Sequence, residues 1–197
     1  MPRPNQAETI LAAALSCFAE RGYDGTRIRQ IAEAANVSEG ALYRHYPSKE
    51  AVAQALYARS FHQFSLALQA ALGSEQPVEL QLRAALAAIL ATYRAHPDAF
   101  TFVLLRQPGF MPTLPPATIY PVELIEKLIV AGQGAGVIRD GQPNLLAAIV
   151  LGCVLRPIIV SQLAQPGALD LLTSHAHDQV IADACWAALA RPKSELP

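Results

Sequence analysis

With 197 residues, the chain is long enough for one substantial core or for a small module joined to a larger one. Hydrophobic residues make up 52% and charged residues 16%, which argues against disorder throughout and leaves room for a subunit interface besides a core. The formal charge of −1 rules out any argument from overall basicity. Cys17, Cys153 and Cys185 are widely separated without CxxC spacing, so they form neither a disulfide framework nor a thiolate zinc site and read as buried thiols in a reducing compartment.

After a short Pro-containing arm, residues 7–21 read as a helix, with Ile10, Leu11, Ala14, Leu15 and Phe18 at three-and-four spacing on one apolar face. Gly22 ends that pattern at a left-handed turn, and Tyr23 can fold back over the helix end. Asp24-Gly25 is a further turn signal, and Thr26 is expected to cap the next helix with its hydroxyl. That helix turns Ile28, Ile31, Ala32 and Ala35 inward and leaves Arg27, Arg29, Gln30 and Glu33 outside. Asn36 suits a left-handed residue, Val37 anchors the turn from inside, and Ser38 caps a third helix. There Leu42 and Tyr46 pack inward, Glu39, Gly40, Ala41, Tyr43, Arg44 and His45 supply the remaining surface, and Pro47 closes the helix.

Two short helices at a steep angle, the second presented outward, form a helix-turn-helix unit. Such a second helix can enter the major groove of DNA, where Gly40 and Ala41 permit close approach and Arg44 or His45 reaches polar base edges. Residues 1–50 carry Arg3, Arg21, Arg27, Arg29, Arg44 and Lys49 against Glu8, Glu20, Asp24, Glu33, Glu39 and Glu50. Attraction to phosphate must therefore depend on local placement.

The run GYDGTRIRQIAEAANVSEGALYRHYPSKE resembles the N-terminal DNA-binding region of the TetR family of transcriptional regulators, and the likeness extends over about a quarter of the chain, residues 10–56. The resemblance implies an all-α homodimer with an N-terminal three-helix DNA-binding domain (1–49) and a larger helical domain for effector binding and dimerisation (50–197). It further implies a palindromic double-stranded DNA operator and, usually, repression that is lifted when a small ligand reshapes the dimer. On the matching positions, Thr26, Tyr43 and Lys49 would contact phosphates, Arg27 the backbone or a base, and the helix holding Ser38, Glu39, Gly40, Ala41, Tyr43, Arg44 and His45 would read bases. Two positions depart from the pattern: Asn36 stands where the family usually has glycine, and Glu39 where many members carry Lys or Arg. A carboxylate there opposes nearby phosphate but can accept a hydrogen bond from cytosine N4.

Ser48 is expected to cap a long fourth helix running toward Leu72, a natural connector between domains, before the break at GSEQP, 73–77. Helices are expected over 78–96, 98–106 and 120–137, with an irregular apolar segment, PGFMPTLPP, at 108–116. The last two helices are expected at 145–163 and 171–189, where two from each subunit can build a four-helix dimer seam. Arg156 and Pro157 interrupt the apolar stretch 145–164, which reads as a buried helix; with no signal segment at the start, a cytoplasmic protein without a membrane span is expected.

Candidate ligand contacts for a small, partly apolar effector are Tyr93, Phe100, Phe102, Met111, Tyr120, Cys153, Arg156 and Trp186. Arg156 interrupts an apolar helix, so Glu123, an anionic ligand or simple exposure must satisfy its charge. No phosphate loop, HExxH or GxSxG pattern is present, and His175, His177 and Asp178 lack metal-site spacing, so no catalytic residue, metal or cofactor is expected. The alternative to a DNA-binding regulator is a helical dimer that senses a ligand or binds protein without reading DNA, a reading motivated by Glu39 and the neutral N-terminal region.

Overall fold

A computed structural model of the chain describes residues 5–73, 76–102, 120–162 and 169–192. Among them run α1 (Gln6–Gly25), α2 (Ile28–Ala34), α3 (Glu39–His45), α4 (Lys49–Leu72), α5 (Val78–Ala95), α6 (Pro97–Phe100), α7 (Pro121–Gly134), α8 (Pro143–Ser161) and α9 (Asp178–Leu189). The fold is all-α, with one isolated antiparallel bridge, Ile138 to Ala190, among the described residues. Two compact units emerge: described residues up to 62 with 98–102, and residues 63–97 with those from 120 onward.

In the N-terminal unit, the apolar faces anticipated from spacing meet in one core. Ile10, Leu11, Ala14 and Phe18 of α1 pack with Ile31 and Ala32 of α2, Leu42 of α3, and Val52, Ala53, Leu56 and Phe61 of α4. Phe102 joins this core, its ring stacked on Phe18 at 5.6 Å and 7°. Burying such side chains supplies the main stabilisation, about 2 kcal/mol for each large one.

The stretch labelled α1 is interrupted at Gly22, whose φ of 71° is the left-handed value expected of it. Asp24-Gly25 are the central residues of a turn just past that break, closed by Thr26 N–H donating to Tyr23 O at 3.3 Å. Tyr23 does fold back, meeting the Phe18 ring at 5.6 Å.

In the C-terminal unit, α5, α7, α8 and α9 pack on one another. Their buried faces are Leu82, Leu86, Ile89 and Leu90 of α5, Ile125 and Ile129 of α7, Leu146, Val150, Val154 and Ile158 of α8, and Ile181, Cys185 and Leu189 of α9. Past α7 the chain reverses through Gly136 (φ 72°) so closely that a Cβ on Gly132 would lie 2.5 Å from Ile138 Cδ1. Hydrogen bonds from Arg139 N to Leu189 O (2.8 Å) and from Arg191 N to Val137 O (3.0 Å) flank the bridge.

Several helix boundaries differ from expectation, among them that of α7, which ends at Gly134 instead of 137. The last helix starts at Asp178 instead of 171, because the Arg94 guanidinium takes Leu171 O and Ser174 O, the carbonyls that a helix from 171 would offer to the N–H groups of residues 175 and 178. The helix expected over 98–106 begins at Pro97, which needs no N–H at a first helical position, and its assignment ends at Phe100; residues 103–106 lie outside the described residues. The helix expected at 145–163 starts earlier, at Pro143, and Leu163 is likewise outside them. By length and apolar character, α8 is the one described helix able to cross a membrane. One of its faces is packed inside the C-terminal unit, but Leu145 and Ile149 are exposed, so the buried helix expected from the sequence is buried on that face alone.

Candidate nucleic-acid interface

The helix-turn-helix is built from residues 27–45. Arg27, in extended conformation, is the N-cap of α2, and its N–H donates to Gln30 Oε1 at 2.8 Å. Thr26 is not the cap. It is 1% exposed, and its hydroxyl lies 2.8 Å from Gly22 O and 3.0 Å from Cys17 O, so its proton serves the end of α1.

At the other end of α2, Val37 N–H donates to Ala32 O (3.0 Å) and Asn36 N–H to Glu33 O (3.1 Å), a Schellman closure with Asn36 left-handed at φ 53°. Asparagine tolerates that region better than other non-glycine residues, which is how the turn forms without the usual glycine. Partly buried Val37 packs on the core, and Ser38 Oγ accepts the Ala41 N–H at 3.1 Å to start α3.

This frame sorts the residues expected to face DNA. Arg27, Ser38, Glu39, Gly40, Tyr43, Arg44 and His45 are exposed. Ala41, expected at the surface, is 6% exposed, because it lies beside Leu42 on the face that meets the core. A Cβ on Gly40 would meet nothing within 4 Å, so the fold itself places no demand for glycine there. Tyr43 is 48% exposed, and its hydroxyl makes no hydrogen bond among the described residues. Arg29, also exposed, is held by Glu33 at 2.8 Å, a neighbour that pushes its pKa up through that hydrogen bond.

Lys49, the first residue of α4, is partly buried. Its Nζ donates to Tyr23 O at 2.8 Å and Thr26 O at 2.9 Å, and lies 4.3 Å from the centroid of the Tyr23 ring. Gln6 is a contact the sequence did not suggest: its Oε1 lies 3.0 Å from His45 Nε2, joining the start of α1 to the end of α3. The two are 39 positions apart, so no local pattern signals that pair.

The residues expected to line an effector site divide between the units. Phe100 and Phe102 fall in the N-terminal unit, both buried. Tyr93, Tyr120, Cys153, Arg156 and Trp186 fall in the C-terminal one: Tyr93 is buried, Cys153 and Trp186 half-buried, and Tyr120 and Arg156 exposed. Met111 lies outside the described residues. Arg156 forms no ion pair with Glu123, and exposure satisfies its charge. Sequence reasoning also missed Ser65 on α4, which is 2% exposed and whose hydroxyl has no hydrogen-bond partner among the described residues. Among the described residues, no group of three or more His, Cys, Asp or Glu is placed to hold a metal.

A three-helix core presenting a capped, solvent-facing second helix, joined through α4 to a larger helical unit, defines an all-α helix-turn-helix protein. Residues 10–56 match the family described as "Bacterial regulatory proteins, tetR family". The HTH-type transcriptional repressor AcnR of Corynebacterium efficiens is 42% identical over 52 residues, 26% of this chain and 28% of that protein. The match thus spans little more than a quarter of that curated relative's length.

Over the whole chain the likeness is structural. A putative tetR family transcription regulator from Shewanella sp. PV-4 has a TM-score of 0.74 and 25% identity, over 95% of this chain and 100% of that one. The structure of a SmeT–triclosan complex has a TM-score of 0.71 and 20% identity, over 98% of this chain and 95% of that one. Motif and fold agree: residues 10–56 match the tetR family of bacterial regulatory proteins, and over its whole length the chain resembles in fold a putative tetR family transcription regulator.

Proposed function

We propose that the protein is a ligand-responsive transcriptional repressor that binds a palindromic DNA operator as a homodimer in the cytoplasm. The observation that carries this reading is the outward face of α3. Gly40 leaves open space, and Tyr43 offers a hydroxyl with no partner among the described residues, so the fold makes no evident use of either. Tyr43, Ser38 and Arg27 are assigned to phosphates, and Glu39, Gly40, Arg44 and His45 to the groove floor. The boundary between a DNA-binding domain, 1–49, and an effector and dimer domain, 50–197, belongs to the same proposal. That the relative AcnR is a transcriptional repressor supports repression here.

The dimer is assigned to α8 and α9, which pack side by side. Leu145 and Ile149 on α8 and Val180 on α9 are exposed at 57%, 41% and 65%, flanked by exposed Ala148, Gly152, Ala184 and Ala187. Small and apolar residues on two adjacent helices suit close packing against a second copy. For the effector, the Ser65 hydroxyl, without a hydrogen-bond partner among the described residues, and buried Tyr93 supply polar and aromatic contacts in one unit. The triclosan complex of a protein of the same fold supports a small, largely apolar ligand. Binding lifts repression if the effector favours a dimer whose recognition helices miss the spacing of about 34 to 36 Å between half-sites.

Selection of bound duplexes from a random pool tests activity and reads the operator at once. A palindromic site is expected, with Tyr43→Phe weakening binding to every sequence and Arg44→Ala relaxing base preference at one position of each half-site. Recovery of no duplex by the free protein would favour a helical sensor that does not read DNA.

A further inference from the structure

Lys49 is anchored by three independent contacts inside its own unit. Two of its three N–H groups donate to Tyr23 O and Thr26 O, 26 and 23 residues earlier, and the Tyr23 ring lies beneath the ammonium at 4.3 Å. Both carbonyls lie in the single turn that follows the break at Gly22, closed by Thr26 N–H to Tyr23 O at 3.3 Å, so α4 supplies from a distance the cation that ties this turn down.

Thr26 and Arg27 connect α1 to α2, and the neighbouring Thr26 hydroxyl is committed to the end of α1. The corner from Tyr23 to Arg27 is therefore closed by the first residue of α4. This helix continues unbroken to Leu72, from residues of the N-terminal unit into those of the C-terminal one.

We propose that Lys49 is a positioning residue: it clasps the α1–α2 corner to the start of α4, so that the helix-turn-helix moves with α4, and it aids operator recognition through that corner instead of through a phosphate. The proposal rests on the DNA-binding reading above for its consequence, but not for the clasp. The corner sets where α2 begins, and α2 with its Schellman turn sets where α3 is presented. Releasing the clasp leaves every exposed groove-facing side chain in place while loosening their common frame. Specific binding, which needs several side chains in register, then falls, while general attraction to duplex DNA does not.

The test uses the full chain with Lys49→Met, which keeps most of the apolar stem and removes the donors. Its companion is Tyr23→Leu, which removes the ring and leaves every charge unchanged. Amide hydrogen exchange on the free protein is expected to accelerate at residues 23–30 in both variants, with α3 remaining helical. Affinity for the duplex selected by the unmodified protein is expected to fall roughly tenfold in Lys49→Met and less in Tyr23→Leu, while affinity for a scrambled duplex holds. The slope of log affinity against log salt stays unchanged between about 50 and 200 mM.

If Lys49 touches phosphate, both affinities fall together in Lys49→Met, the slope becomes shallower by about 0.9 for each phosphate no longer neutralised, and Tyr23→Leu has no effect; that pattern overturns the proposal. Two unchanged affinities in a folded Lys49→Met protein overturn it as well, leaving a stabilising contact only. If the unmodified protein selects no duplex, the DNA-binding reading fails by itself. The exchange rates then still decide the clasp, and unaltered rates at 23–30 remove it.

Discussion

The two units close their backbones with the same devices built from different residues. Both α2 and α7 end in a Schellman closure: Val37 N–H reaches Ala32 O, and Val137 N–H reaches Gly132 O, each at 3.0 Å. The left-handed position is Asn36 in the first and Gly136 in the second. Each unit also gathers distant carbonyls on one cation. Lys49 holds Tyr23 O and Thr26 O, while Arg94 holds Leu171 O and Ser174 O at 3.0 Å each and pairs with the Asp178 carboxylate at 2.9 and 2.6 Å. Arg94 is neutralised by its partner, whereas no carboxylate pairs with Lys49 among the described ion pairs. The difference teaches that a neutralised clasp suits a purely structural corner, while an unneutralised one leaves positive charge beside the helix-turn-helix.

The largest expected effect comes from breaking the neutralised clasp. The Arg94 side chain is only 12% exposed and holds together the turns at 170–177 that precede α9. Arg94→Met removes its donors and leaves Asp178 without its guanidinium partner, and is expected to lower stability by about 2 to 3 kcal/mol in urea unfolding, below the value for a fully buried pair. The Arg94 hydrogen bond holds the Asp178 carboxyl below its usual value of 3.8. A depressed folded-state pKa contributes stability above the unfolded value, lost as pH falls through the folded one. Unmodified protein is therefore expected to lose this stability below about pH 4, and the variant to have little of that component left to lose. Equal acid sensitivity in both proteins would place the pairing energy elsewhere.

A smaller effect separates the units by their buried thiols. Cys185 donates to Val150 O at 3.8 Å in the C-terminal unit, and Cys17 to Gln30 O at 3.9 Å in the N-terminal one. Burial, aided by nearby Cys153, pushes Cys185 up to about 12, while burial of Cys17 is partly opposed by Arg21. Above pH 9 the unfolded chain's thiols ionise while the folded Cys185 keeps its proton, so stability falls as pH rises toward 12. The loss between pH 9 and 10 is expected to be on the order of 1 kcal/mol from this group. Urea midpoints across that range should flatten more in Cys185→Ala than in Cys17→Ala; the reverse order would undo the assignment.

The devices differ in how far the sequence revealed them. The core faces of α1 to α4, the left-handed Gly22 and Asn36, and the Ser38 cap were all legible, because helical spacing and turn chemistry act within a few residues. The anchoring of Lys49 to α1, the joining of Gln6 to His45 and the hold of Arg94 on residues 171–178 were not. Each depends on partners between 23 and 84 residues apart, whose meeting is decided by packing. Thr26 shows the same limit at short range: its hydroxyl was available to either flanking helix, and the buried corner turned it toward α1. The early start expected for α9 failed for the same reason, since Arg94, 77 residues from Leu171, takes carbonyls that a helix starting there would use.

The smallest effect tests the shared Schellman closure by exchanging its residues. Space does not decide either site: a Cβ on Gly136 would meet only Arg191 Nη1, at an ordinary 3.7 Å. The backbone does, because φ values of 53° and 72° disfavour any residue with a Cβ, and asparagine less than most. Asn36→Gly is therefore expected to raise stability by roughly half a kcal/mol, the relief of left-handed strain exceeding the added freedom of the unfolded chain. Gly136→Asn should lower it by a similar amount, and Gly136→Ala by about 1 kcal/mol, since alanine lacks the local hydrogen bonding that helps asparagine. Urea midpoints of the three variants measure this directly. If Asn36→Gly destabilises instead, the Asn36 side chain contributes more than its backbone strain removes, and the two closures are alike in geometry but not in energy.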